Sequence, residues 1–123
     1  MSLQPNPIMN LDIRCAELGR QLSRINNIDE KILNDALAVL EEQGPYAVFL
    51  YIQARHSGVA SEFLQKCVSL LREVFSDKEI PANGDALEVV KQLAENLDDL
   101  LFARDLLRNA LGYARYHLKA KGS

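Results

Sequence analysis

Residues 45–55 read PYAVFLYIQAR, and this stretch decides the fold class. Its apolar residues fall on every side of a helix and on both sides of a strand. YAVFLYI is also strand-friendly in composition. A lone strand needs a partner, however, and no other segment of the chain offers one. The segment therefore reads as a helix that opens at Pro45, where the missing N–H is not required, and ends near Arg55. A helix apolar all round is buried centrally or forms an interface.

Working back towards the N-terminus, Gly44 supplies a left-handed stop for a preceding helix. That helix, from about Asp29 to Gln43, is capped by Asp29 and carries a stripe of Ile32, Leu33, Ala36, Leu37 and Leu40. Asn26 and Asn27 separate it from a first helix over about Asn10 to Ile25. There Leu11, Cys15, Leu18, Leu22 and Ile25 recur at helical spacing. Working forward, His56-Ser57-Gly58 reads as a turn. A fourth helix follows from about Val59 to Phe75, with Phe63, Cys67, Leu70, Leu71 and Val74 inward. Pro81 and the Asn-Gly pair at 83 and 84 mark residues 76–84 as a loop. A fifth helix opens at Asp85, with Glu88 at capping-box spacing, and runs to about Asn96. The sixth and longest runs from about Asp98 to Lys119. The spacing thus predicts an all-α protein: a compact single-domain bundle of about six helices over residues 8–121. Residues 1–7 read as a flexible tail. With 123 residues, 48% hydrophobic and 25% charged, the chain suits one globular domain with a real core.

Composition also limits function. The formal charge is −3, so the chain is not a polybasic nucleic-acid binder overall. No apolar run approaches a membrane span, and MSLQPNPIMN has neither the basic start nor the apolar run of a signal peptide. A cytoplasmic location is expected. Cys15 and Cys67 lie in apolar-periodic segments and read as reduced core cysteines. Together with His56 and His117 they show no metal-ligand spacing. Gly44, Gly58, Gly84 and Gly112 are isolated, unlike a phosphate-binding loop. Gly112 lies inside the sixth helix, and close helix packing would account for it. Asp98 and Asp99 suit the start of that helix, where free N–H groups favour negative charge. No catalytic residues, metal or cofactor are expected.

The charges are unevenly placed. Residues 29–42 hold five acids and one lysine, and residues 73–99 hold eight acids and two lysines. Residues 101–123 hold Arg104, Arg108, Arg115, Lys119 and Lys121 against Asp105. Arg104, Arg108, Arg115 and Lys119 share roughly one helix face. Such a stripe could track a phosphate backbone, with Tyr113 and Tyr116 near enough to stack or hydrogen-bond. Basic residues also belong near a helix C-terminus for dipole reasons alone. Arg14, Arg20 and Arg24 of the first helix would extend a basic surface if the two helices are neighbours.

Two segments, ALAVLEEQGPYAVFLYIQAR (36–55) and LLFARDLLRNALGYARYHLKA (100–120), resemble the small helical subunit of the type III-B CRISPR effector, the Cmr complex. Gly44 matches that family's helix-ending glycine. Phe49 and Leu50 match the apolar centre of the next helix and Arg55 its basic end. Arg104, Ala110 and Arg115 fit the last helix. The chain departs from the family in lacking tryptophan and in its acidic net charge. The resemblance implies a non-catalytic structural subunit that packs along the larger backbone subunits and helps hold guide and target RNA. Arg104, Arg108, Arg115, Lys119, Arg20, Arg24 and Arg55 would then be RNA or partner contacts. Tyr46, Phe49, Leu50 and Tyr51 would form a packing surface. Two other readings stay open: a helical protein–protein adaptor unrelated to nucleic acid, and a small enzyme whose site the sequence does not reveal.

Overall fold

The computed structural model describes residues 10–78 and 85–121. It is all-α, with six helices: α1 (Leu11–Ser23), α2 (Glu30–Gln43), α3 (Pro45–Arg55), α4 (Ser57–Val74), α5 (Ala86–Leu93) and α6 (Leu97–Ala120). The expected tail at 1–7, and the part of the expected loop that holds Pro81 and Gly84, lie outside the described residues.

Capping chemistry sets the helix starts. Asn10, Asp29, Asp85 and Asn96 each sit in extended backbone and accept from an N–H three residues on, at Ile13, Ile32, Glu88 and Asp99. Each removes one of the orphan donors that open a helix. Two boundaries differ from the sequence reading, the first because of a cap. Because Asn96 serves as a cap, α5 stops at Leu93 and α6 begins at Leu97, with Asp98 and Asp99 in its first turn. The expected turn at 56–58 narrows to His56 alone (φ −137°, ψ 53°), and Ser57 and Gly58 already belong to α4. Between α2 and α3, Gly44 adopts φ +95° and ψ −177°, a region open essentially to glycine alone. Its N–H closes α2 on Leu40 O at 2.9 Å, and Pro45 starts α3 immediately.

The segment that decided the fold is helical, and Val48, Phe49 and Ile52 are shut into the core. Fully buried Leu22, Leu33, Leu40, Phe49, Phe63, Leu71 and Leu107 draw that core from α1, α2, α3, α4 and α6. Burial of each such side chain contributes about 1.5–3 kcal/mol.

The long α6 is the spine. It packs most extensively on α1 and also meets α2, α3 and α5. α1 runs parallel to it: Cys15 Sγ lies 3.5 Å from Leu106 O, Gly19 lies on Ala110 and Ala114, and Lys121 Nζ donates to Ser23 O at 3.1 Å. α2 runs antiparallel, with Glu30, Asn34 and Glu41 opposite Lys119, Arg115 and Arg108. The glycine required by close packing is Gly19, not Gly112. A Cβ at Gly19 would stand 2.6 Å from Tyr113 Cβ and 2.8 Å from both Ala110 O and Ala114 N. At Gly112 a Cβ would meet nothing within 4 Å, so the packing explanation for Gly112 is withdrawn.

Candidate nucleic-acid interface

The basic face of α6 lies against the acidic helix α2. Arg108 pairs with Glu41 through Nε, and its Nη2 reaches Asp105 at 2.9 Å. Arg115 Nη1 donates to Asn34 Oδ1 at 3.0 Å. Lys119 Nζ lies 2.8 Å from Glu30 Oε2. Arg104 is half-buried, and its Nε is shut off from solvent without a hydrogen-bond partner among the described residues. The charge asymmetry of the sequence is thus met inside the fold. Acids of residues 29–42 face bases of residues 101–123 across an antiparallel helix pair. Exposed pairs of this kind contribute only ~0–1 kcal/mol each, so they set helix register more than stability.

Arg108, balanced by two carboxylates, brings no net positive charge. Arg115 differs, because its hydrogen-bond partner, Asn34, is neutral. Arg20 of α1 and Arg24, which follows its last residue, are exposed and have no carboxylate partner among the described residues. Parallel packing brings their end of α1 to the same end of the bundle as Lys119 and Lys121. The condition for a shared basic region, that the first and last helices be neighbours, is met. Arg14 is spent elsewhere: Glu73 of α4 and Glu17 hold it, and its guanidinium pKa is raised by the Glu73 hydrogen bond first. Arg55 is exposed at the far end of α3.

The four residues expected to form a packing surface divide. Tyr46 and Leu50 are exposed, at 42% and 48%. Phe49, at 0%, is core and is withdrawn as a surface residue, since α3 turns that face inward. Tyr51 is half-buried in a polar cluster. Its hydroxyl donates to Asp35 Oδ2 at 3.4 Å and meets His56 Nε2 at 3.2 Å, and Lys31 closes on Asp35 at 2.9 Å. That ammonium holds the Asp35 carboxyl below its usual range, through their hydrogen bond first. The cluster ties α2 to the α3–α4 junction.

A groove of about 600 Å³ crosses the outer face of α6. Leu37, Ala38 and Glu41 of α2 form one wall, and Arg108, Asn109, Gly112, Tyr113, Arg115 and Tyr116 of α6 form the rest, with Asp12 at the rim. Tyr113 donates to Asp12 Oδ1 at 2.6 Å, a bond that raises the phenol pKa. Tyr116 is 69% exposed. Sequence reasoning noted both tyrosines but missed Asn109 and the part played by Gly112. The signal was present: 108, 109, 115 and 116 stand three and four residues from Gly112, hence around it on the helix surface.

Cys15 and Cys67 are both buried free thiols. Burial pushes the Cys67 thiol up to about 12 and raises that of Cys15. Among the described residues no cluster of three or more His, Cys, Asp or Glu could hold a metal, and no helix is long and apolar enough to cross a membrane. No family model, curated protein or solved structure matches the chain.

Proposed function

We propose that the chain is a non-catalytic structural subunit of a CRISPR ribonucleoprotein effector of the type III-B kind, packing along its backbone subunits and helping to hold guide and target RNA. The observation that carries this reading is the basic end of the bundle. Arg20 in the last turn of α1, Arg24 just past it and Arg115 in the last two turns of α6 lie towards that end because the two helices run parallel, and none has a carboxylate partner among the described residues. Two further features support it. Segments 36–55 and 100–120, which bear the resemblance, belong to helices packed against one another. Gly44 also stands in backbone that demands the glycine.

Arg20, Arg24 and Arg115 are the phosphate contacts, and Arg108 and Lys119 fasten α6 to α2. Affinity of one copy for RNA is low because the net charge is −3, and several copies along one strand supply avidity. Each phosphate contact adds about 0.7 to the slope of log affinity against log salt on a single strand. The variant Arg20→Ala/Arg24→Ala/Arg115→Ala should therefore lose about 2 from that slope. Fluorescence anisotropy with labelled guide RNA across a salt series measures it. An unchanged slope refutes the assignment.

The adaptor reading draws on Tyr46 and Leu50, exposed apolar residues on α3. It predicts that Leu50→Lys abolishes association with a protein partner in the absence of RNA, while the RNA salt slope stays as in the wild type.

A further inference from the structure

We propose that the groove over Gly112 is a binding site for one unpaired nucleotide of single-stranded RNA, the base lying on bare helix backbone against Tyr116 and the adjoining phosphate meeting Arg115. The choice of RNA rests on the function proposed above; the site itself rests on the groove.

Glycine inside a helix costs about 1 kcal/mol relative to alanine. At Gly19 that cost has a packing reason. At Gly112 it has none, because a Cβ there would project into open space within the groove. What the missing side chain provides is a flat floor. Around it stand Arg108, Asn109, Arg115 and Tyr116, the helix-surface neighbours of position 112. At about 600 Å³ the groove falls within the ~300–1,000 Å³ typical of small-ligand sites.

The chemistry of the ring selects the ligand. Tyr116 is largely exposed and offers an aromatic face, and stacking of one base on such a face is worth about 1–3 kcal/mol. Asn109 carries both a donor and an acceptor, as a base edge does. Arg108 is neutralised by Glu41 and Asp105 and forms a wall. Arg115 keeps its charge, which suits a single phosphate. Asp12 and Glu41, the groove's carboxylates, are engaged by Tyr113 and Arg108. An apolar protein side chain would find only Leu37 and Ala38 as aliphatic partners, so a planar polar ring fits better.

The test uses the full chain, ¹⁵N-labelled, titrated with an octanucleotide RNA and with an abasic phosphodiester of equal length. The RNA should shift the Gly112 amide, and the abasic strand should not. The chain has four tyrosines and no tryptophan, so stacking should also quench tyrosine emission. Tyr116→Ala should weaken RNA binding about tenfold. Gly112→Leu, whose Cβ would meet nothing within 4 Å and whose side chain would occupy the groove, should melt no lower than wild type and lose the Gly112-region shifts. Equal shifts with the abasic strand would overturn the proposal, as would undiminished RNA binding by a folded Gly112→Leu variant. So would a Gly112 shift produced equally by octaglutamate, which would mark a protein-binding groove. If these tests fail while the Arg20/Arg24/Arg115 variant still loses salt slope, the groove assignment falls and the proposed function stands. If the groove binds RNA but the chain never joins an effector particle, the function falls and the site stands.

Discussion

The same substitution, glycine to alanine, should have opposite effects at Gly19 and Gly112. Both are helical positions, so each gains about 1 kcal/mol from improved helix propensity. At Gly112 nothing opposes the gain, because the new methyl meets no atom within 4 Å. At Gly19 the methyl would stand 2.6–2.8 Å from Tyr113 Cβ and from backbone atoms of Ala110 and Ala114. Neither backbone nor a Cβ can move aside without shifting α1 against α6, and overpacking of this kind costs about 1–3 kcal/mol. Two backbone contacts at once place the cost at the upper end. We expect a net loss of about 1–2 kcal/mol for Gly19→Ala and a gain of up to about 1 kcal/mol for Gly112→Ala. For a chain of this size 1 kcal/mol corresponds to about 4 °C in Tm. Urea and thermal unfolding followed by circular dichroism at the helix band would show Gly19→Ala below wild type and Gly112→Ala at or above it. Equal destabilisation of both variants would refute the assignment of the close crossing to Gly19 and the open groove to Gly112.

Three further predictions concern the frame. Gly44→Ala should lose about 1–3 kcal/mol, since φ +95° excludes an ordinary side chain; a urea midpoint equal to wild type would contradict this. Arg104→Met should leave stability unchanged or raise it, because it removes a buried Nε that lacks a partner among the described residues and keeps the packed stem; a loss above ~2 kcal/mol would show a partner at work. Cys15 and Cys67 should react slowly with thiol reagents until the protein is denatured. The Cys67 thiol is raised in the folded state from 9.0 to about 12. Its contribution to stability is therefore complete below pH 9.0 and is lost as pH rises towards 12. Cys67→Ala should flatten that alkaline decline, and an unchanged decline would contradict the burial.

Much of the frame was legible because helix chemistry is local. Asn10, Asp29 and Asp85 are caps whose residue type announces the role, and Pro45 after Gly44 marks a boundary to the residue. In the sequence Asn96 reads as the end of α5, whereas it caps α6. Either role suits asparagine, and only the geometry of the following turn distinguishes them. The charged face of α6 was legible as a stripe but not as an interface, because spacing along one helix carries no information about its neighbour. Once α2 lies antiparallel beside it, Arg108 and Lys119 have carboxylate partners there, whereas Arg115 meets the neutral Asn34. Gly19 and Gly112 show the same limit. Both are glycines in helix interiors, and only the position of the second helix separates the one in contact from the one over open space. The resemblance alone puts Phe49 on a packing surface; α3 is apolar all round, so its pattern cannot orient it, and the fold turns Phe49 inward.

The claim that this chain is a structural subunit of a CRISPR ribonucleoprotein is tested most directly by reconstitution. A guide-loaded type III-B particle assembled without its small subunit would be mixed with the purified chain, and stoichiometry read by native mass spectrometry. We expect incorporation of more than one copy, lost with Arg20→Ala/Arg24→Ala/Arg115→Ala and weakened at high salt, with no RNA cleavage by the chain on its own. A particle whose mass is unchanged at saturating chain, or RNA cleavage by the isolated chain, would contradict it.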